Sequence, residues 1–178
     1  MEQELSTRSA PLTTTFHDIE EAAARIKGAV YEPPCPQSIP LSELTGMKIH
    51  CKLDNLQRTG SFKERGARNA LIQLSDEQKK LGVIAASAGN HAQALAYQGK
   101  LLGVPATVVM PKFAPLIKIN NCQKLGATVV LEGTDFAEAK ARAHATPIAA
   151  RYYVRIPCVW IPFYSARYGA RNALGAPG

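Results

Sequence analysis

The chain has 178 residues, 46% of them hydrophobic, and a formal net charge of +7. This length suffices for one ordinary domain or two small ones, and no apolar run approaches the ~20 residues of a membrane span. The positive charge is weak evidence for a nucleic-acid partner, because beyond Lys140 the chain has arginines but neither lysine nor acidic residues, and this tail supplies most of the excess.

The cysteines and the N-terminus indicate the compartment. Four cysteines are scattered without the paired spacing of a zinc site or a disulfide framework: Cys35, Cys51, Cys122 and Cys158. The acidic N-terminus is not followed by the apolar segment of a signal peptide. We therefore expect a protein of the reducing cytoplasm that binds no metal and no membrane.

The first third of the chain is predicted to contain a helix, a loop and a strand. Residues 1–14 are polar and expected to fray. A helix is predicted from Thr15 to Ala29, because acidic residues lie near its start and basic residues near its end. Four prolines between Tyr31 and Pro40 predict an extended or looped segment. Polar and apolar residues alternate from Lys48 to Leu53, which predicts a half-buried strand.

The segment around Lys63 is predicted to be a turn that leads into a helix. Gly60 permits a tight turn, and Ser61 and Glu64 have the spacing of a capping box, which makes Ser61 the predicted N-cap. Lys63 then lies in the first helical turn, where the helix dipole disfavours a positive charge. This position suits a lysine that works as a neutral amine, although a solvated surface lysine is the ordinary alternative.

A short helix opened by Ser75 and three strand–helix units follow. The predicted strands are Val83–Ala86, Ala106–Met110 and Thr128–Leu131. The predicted helices run from Asn90 to Leu102, from Pro115 to Leu125, and from Asp135, capped by Thr134, to about His144. Short β-branched runs alternating with helices are typical of a buried parallel sheet with flanking helices, so we predict a three-layer α/β fold.

Two segments of this region carry recognisable motifs. The first is Thr-Gly-Ser-Phe-Lys-Glu-Arg-Gly-Ala at residues 59–67, and the second is Ala-Ser-Ala-Gly-Asn-His-Ala-Gln at residues 86–93. Together they resemble the serine/threonine dehydratase family, pyridoxal-phosphate enzymes of the tryptophan-synthase-β-like fold. The resemblance runs from about Ile39 to about Ala145. It implies that residues 1–55 are the N-terminal part of the large cofactor domain and that residues 56–145 are the small α/β domain.

The resemblance implies a role for each motif. In this family the lysine after Ser-Phe forms an imine with pyridoxal 5′-phosphate and moves protons at the substrate, so Lys63 is the expected catalytic residue. Phe62 is expected to pack beside the cofactor, or else to be a plain core residue. Asn90 is expected to bind the cofactor's ring oxygen. Without the resemblance, Asn90 would be interpreted as a helix cap and His91 as a surface residue. The residues implied to bind the substrate carboxylate are Ser87, Ala88, Gly89, Asn90 and His91.

The implied reaction is the dehydration and deamination of L-threonine, with L-serine as an alternative substrate, to a 2-keto acid and ammonia. Related serine racemases have a hydroxyl where Ala88 has a methyl group, which favours elimination over racemisation. An alternative is β-replacement of the cysteine-synthase type, although the Thr-Gly-Ser-Phe-Lys sequence that ends at Lys63 fits dehydratases better. The resemblance also implies amino-acid metabolism, including isoleucine biosynthesis, and homo-oligomers among full-length relatives.

The tail at residues 146–178 differs from the rest of the chain. It holds half of the aromatic residues, and Tyr152–Ile156 is its one strand candidate. No Gly-Gly or Gly-x-Gly occurs anywhere, so the family's glycine-rich phosphate loop is missing. Codons for the family's Ala-Gly-Gln-Gly-Thr stretch, read in a shifted frame, can encode residues 169–173. We therefore expect a frame slip between about Ala143 and Tyr152. The alternatives are a genuine C-terminus and a catalytically dead fragment.

Overall fold

A computed structural model of the chain describes residues 14–146. Within this range the chain forms seven α-helices, a 3-10 turn at Asp54–Leu56 and three strands. The helices are α1 Phe16–Ile26, α2 Ile39–Thr45, α3 Lys63–Ile72, α4 Asp76–Leu81, α5 Asn90–Leu102, α6 Leu116–Lys124 and α7 Phe136–Ala145. The strands are β1 Val83–Ala86, β2 Ala106–Met110 and β3 Thr128–Leu131.

The three strands form one parallel sheet in the order β1-β2-β3. Ala86 of β1 lies opposite Val109 of β2, and Met110 of β2 lies opposite Leu131 of β3. Parallel strands joined by helices place all their carboxyl ends at one edge, where ligands of such sheets commonly bind. The loop that follows β1 leaves from this edge and leads into α5.

The core is divided between the two faces of the sheet. Alternate strand residues point to opposite faces, so Val83 packs with Leu95 of α5 on one side, whereas Ile84 and Val109 pack with Ala139 of α7 on the other. The sheet is therefore the middle of three layers. This arrangement confirms the predicted three-layer α/β fold with a parallel sheet and flanking helices.

Several predicted helices are present, with shifted ends. Thr15 caps α1 through a capping box with Asp18, although the helix ends at Ile26 rather than Ala29. Ser75 caps α4 in the same way. Helix α5 has the predicted bounds, and α6 is one residue shorter at each end than predicted. The cap of α7 is Asp135 instead of Thr134, because the Asp135 side chain accepts a hydrogen bond from the Glu138 amide.

The predicted strand from Lys48 to Leu53 is wrong. This segment does lie against residues 34–38, with backbone hydrogen bonds from Cys51 to Pro36 and from Leu53 to Pro34. An antiparallel ladder needs N–H donors from both strands. Pro34 and Pro36 have no N–H group, so they cannot donate hydrogen bonds back to residues 48–53. Only an isolated bridge between Gln37 and His50 results.

Two further expectations need correction. Pro40, predicted to lie in an extended or looped segment, lies near the start of α2, where proline is tolerated because the first amides of a helix have no intrahelical partner. The sequence predicts a buried parallel sheet, and β1 is buried, as is β2 except at Thr107. Thr128 and Leu131 of β3, however, are exposed. β3 is at the end of the described sheet and pairs with β2 alone.

Other expectations have no structural outcome. The predicted strand Tyr152–Ile156 and the tail from residue 147 onward lie outside the described residues, as do residues 1–13. Within residues 14–146 no helix combines the length and apolar character that a bilayer crossing requires. The same range contains no group of three metal-ligating side chains placed to hold an ion.

Candidate active site

Lys63 is the first residue of α3, at the positive end of the helix, as the sequence predicted. Its side chain is half-buried, and its Nζ lies 5.0 Å from the centroid of the Phe62 ring. Phe62 therefore lies directly beside the candidate catalytic amine. A cation at this distance from an aromatic face is attracted by the ring.

The predicted capping role of Ser61 is wrong. The residue at the N-cap of α3 is Phe62, which makes no side-chain capping bond. The Ser61 hydroxyl is buried and has no hydrogen-bond partner among the described residues. The capping box does not form because Glu64 turns instead toward Thr59, whose amide and hydroxyl both donate to the Glu64 Oε2 at 3.1 Å.

Helix α3 is held from its other side by a partly buried ion pair. Arg65 Nη2 donates to Asp54 Oδ1 at 2.9 Å and to the Tyr31 carbonyl at 3.3 Å. Gln57 Nε2 reaches the same carbonyl at 2.8 Å. Burial, and then the nearby Arg65 guanidinium, lower the pKa of Lys52. The segment before α3 is thus bound to the lysine helix by charged and polar contacts.

The second motif forms the connection between β1 and α5. The Ser87 amide donates to the Val109 carbonyl at 3.0 Å, which continues the sheet by one residue. Gly89 occupies the N-cap of α5, and no side chain caps this helix. A methyl group added to Gly89 would meet no atom within 4 Å, so the space above the loop is open. Uncapped amides at a helix N-terminus favour a carboxylate or other anion.

Asn90 is the first helical residue of α5, and the N-cap is Gly89, so the alternative interpretation of Asn90 as a helix cap is wrong. Its Oδ1 accepts a hydrogen bond of 3.0 Å from Lys118 Nζ of α6. Because an ammonium group only donates, this contact turns the amide nitrogen of Asn90 away from Lys118 and leaves it available as a donor.

Lys118 was missed by sequence reasoning. No motif marks it, and it lies in a different helix from the loop it contacts. The topology offers the only hint, since α6 follows β2 at the same sheet edge as the loop after β1. A second bond between these helices, from Asn121 Nδ2 to Gln93 Oε1 at 3.0 Å, holds α6 in place beside α5.

The two motifs belong to one packed unit. Helix α3 packs against α5, and Gln98 in the third turn of α5 donates from Nε2 to Glu64 Oε1 at 3.2 Å. The residue next to Lys63 is therefore bonded directly to the helix that carries the loop. His91 lies in the first turn of α5 and is half-buried.

Comparison with known proteins decides the family. The sequence model described as pyridoxal-phosphate dependent enzyme matches residues 26–165. The chain belongs to this family. The family uses pyridoxal phosphate, as the motif at Lys63 predicted.

Several family members are similar to this chain over part of their length. L-threonine ammonia-lyase of Thermotoga maritima is 52% identical over 125 residues, which are 70% of this chain and 31% of that protein. The solved structure of threonine deaminase isoform 2 from Solanum lycopersicum is 36% identical, with a TM-score of 0.68 over 80% of this chain and 41% of that one. Serine racemase of Dictyostelium discoideum is 29% identical, with a TM-score of 0.74 over 93% and 54%.

The chain thus spans about a third of the length of the curated relatives that it matches. Its residues fit the reactive end of the family's cofactor. A half-buried lysine begins α3, and the buried Ser61 hydroxyl, for which residues 14–146 offer no hydrogen-bond partner, lies two residues before it. The phosphate end has no equivalent glycine-rich loop within the 178 residues.

Proposed function

We propose that this chain carries the lysine and the carboxylate loop of a pyridoxal-phosphate enzyme that converts L-threonine, and also L-serine, into a 2-keto acid and ammonia. One observation carries the proposal. Lys63 is the first residue of α3, and α3 packs on the helix whose uncapped N-terminus follows the Ser87–Gly89 loop. The names of the similar proteins, threonine ammonia-lyase and threonine deaminase, support the same substrate.

Each residue has a defined task in this proposal. Pyridoxal phosphate, when bound, accepts the electron pair left at Cα of the substrate. The Lys63 amine would hold the cofactor and would remove the Cα proton of the substrate. Phe62 would pack beside the cofactor, next to that amine. Asn90 would donate to the cofactor's ring oxygen from the amide nitrogen that Lys118 leaves available.

The substrate loop fixes the amino acid by its acid group. The Ser87 amide donates to the Val109 carbonyl and the Gly89 amide to the Ser87 hydroxyl. The first amides of α5, at Asn90 and His91, are therefore the donors proposed to bind a carboxylate at this uncapped helix end. Loss of the β-hydroxyl as water, followed by hydrolysis, yields 2-ketobutyrate and ammonia from threonine. The Ala88 methyl group cannot donate a proton on the face opposite Lys63, so elimination is favoured over racemisation.

The remaining expectations stand as proposals. We assign residues 1–55 to the start of the large domain, residues 56–145 to the small domain, and residues 146–178 to a tail translated from a shifted frame. Full-length relatives are proposed to be cytoplasmic homo-oligomers of amino-acid metabolism. Sequencing the gene tests the tail: a downstream frame that encodes a glycine-rich loop supports the slip, and its absence refutes it.

A direct assay tests the activity. The purified 178-residue chain, supplied with pyridoxal phosphate, is incubated with L-threonine or L-serine, and release of the 2-keto acid is measured. Activity that is lost in Lys63→Ala but retained in the surface control Lys124→Ala supports the proposal. A chain that binds the cofactor on Lys63 but releases no keto acid would be a catalytically dead fragment.

A further inference from the structure

The residue after the candidate catalytic lysine has the most completely bonded buried carboxylate in the described part of the chain. Glu64 is 2% exposed, and both of its oxygens accept hydrogen bonds. We propose that Glu64 is a positioning residue that holds the Lys63 amine in place for reaction. This inference rests on the proposed role of Lys63.

The carboxylate closes the turn that leads to the lysine. Its Oε2 accepts from the Thr59 amide and the Thr59 hydroxyl, both at 3.1 Å. Gly60 within this turn has φ +73, a conformation that other residues adopt only with strain. Since Lys63 lies between the closed turn and the carboxylate, its backbone is held from both directions.

The same carboxylate attaches this turn to α5. Gln98 is completely buried and donates from Nε2 to Glu64 Oε1 at 3.2 Å, while its Oε1 faces Arg68 Nη1 at 3.5 Å. Buried hydrogen bonds to a charged group are stronger than neutral ones. The position of Lys63 is therefore set relative to the helix that begins at the substrate loop, and not only relative to its own turn.

This arrangement does more than stabilise a helix end. A carboxylate near the start of any helix is favoured by the dipole, but such a residue on the surface leaves its neighbours free to move. The Glu64 carboxylate is bonded both to the turn at Thr59 and to Gln98 of α5. Removing this carboxylate therefore releases the turn and also the attachment to α5. Reactive groups displaced by about 1 Å can lose up to about 100-fold in rate, so reactivity at Lys63 should report on this contact.

The chain contains a matched control on α7. Glu138 accepts hydrogen bonds from the Thr134 amide and hydroxyl, as Glu64 does from Thr59, but Glu138 is exposed and its helix lies on the opposite face of the sheet. Glu138→Gln removes an equivalent charge from an equivalent turn. It should leave the reactivity of Lys63 unchanged.

A paired exchange provides the rescue. Glu64→Gln places an amide nitrogen opposite the Gln98 amide nitrogen, so two donors face each other. Adding Gln98→Glu restores a donor and an acceptor in this contact and presents the new carboxylate to Arg68. The carbonyl oxygen of the new amide at position 64 can still accept from Thr59.

The test measures how fast Lys63 is captured by the cofactor. Each full-length variant is mixed with pyridoxal phosphate, treated with borohydride at timed intervals, and digested, and the modified Lys63 and Lys124 peptides are quantified by mass spectrometry. We expect Glu64→Gln to slow capture at Lys63 by about tenfold, with Lys124 unchanged, and the paired exchange to recover most of the rate. Thermal unfolding of each variant confirms that it is folded.

The outcomes separate this inference from the proposed function. If Lys63 in the wild-type chain is captured no faster than Lys124, the proposed function and the positioning role are both refuted. If wild-type Lys63 is captured selectively and Glu64→Gln is captured as fast as wild type, only the positioning role is overturned. The same holds if Glu138→Gln slows capture at Lys63 as much as Glu64→Gln does. Slow capture in Glu64→Gln without recovery in the paired exchange also contradicts the specific contact with Gln98.

Discussion

The ion pair between Arg65 and Asp54 gives the sharpest stability prediction, because it binds the lysine helix to the preceding segment. The Arg65 side chain is 9% exposed and that of Asp54 is 17% exposed. Arg65 donates to Asp54 Oδ1 through Nε at 3.2 Å and through Nη2 at 2.9 Å. Asp54→Ala removes both acceptor contacts and leaves a guanidinium in a buried position.

The expected cost follows from this burial. Breaking a buried pair by removing one partner costs about 3–5 kcal/mol, and the residual exposure of Asp54 favours about 3 kcal/mol. For a chain of this size, that loss lowers the melting temperature by about 6–12 °C. Asp54→Asn keeps an oxygen in place but removes the charge, so we expect a loss of about half as much.

The assay is thermal and urea unfolding of the full chain, followed by circular dichroism. The control is Asp76→Ala, since Asp76 is 86% exposed and forms only a surface pair of 3.5 Å with Lys79. That variant should unfold within a degree or two of the wild type. An Asp54→Ala chain as stable as Asp76→Ala would refute the reasoning.

Three further predictions concern a turn, the loop contact and pH. Gly82 has φ +81, and an added methyl group would lie 2.5 Å from the Pro105 carbonyl oxygen, so Gly82→Ala should cost about 2–3 kcal/mol in urea unfolding. Gly126→Ala, at φ +85 with open space, should cost less. Lys118→Met should raise about tenfold the threonine concentration that half-saturates the spectral change of the cofactor-loaded chain, and Lys118→Arg should not. Burial raises the pKa of Cys122 from 9.0 to about 11, so the unfolded chain ionises first, and stability should fall from pH 9 upward. Urea unfolding between pH 8 and 10.5 should show a smaller fall for Cys122→Ala.

The sequence predicted the fold where one element's pattern was sufficient. The strands β1, β2 and β3 are short β-branched or small-residue runs between helices with clear glycine ends, so their places could be read directly. The strand predicted from Lys48 to Leu53 failed because its pairing depends on another segment, in which proline removes the donors. The alternation of polar and apolar residues within one segment contains no information about the segment with which it would pair.

The site shows the same division. Lys63 was placed correctly at the start of its helix because the local motif and the helix period agree. The spacing of Ser61 and Glu64 predicted a reciprocal cap, but Glu64 is drawn to Thr59 and Gln98, which a spacing rule cannot foresee. The contact between Lys118 and the loop joins two helices and has no local signal either. Local geometry was therefore predictable, and side-chain contacts across elements were not.

One measurement tests the central claim that Lys63 and the Ser87–His91 loop serve one site. A crystal structure of the full chain soaked with pyridoxal phosphate should show continuous density from Lys63 Nζ to the cofactor. The Asn90 amide should lie within hydrogen-bonding distance of the bound molecule. A Lys63 side chain directed into solvent, with the loop on another face of the molecule, would contradict the account.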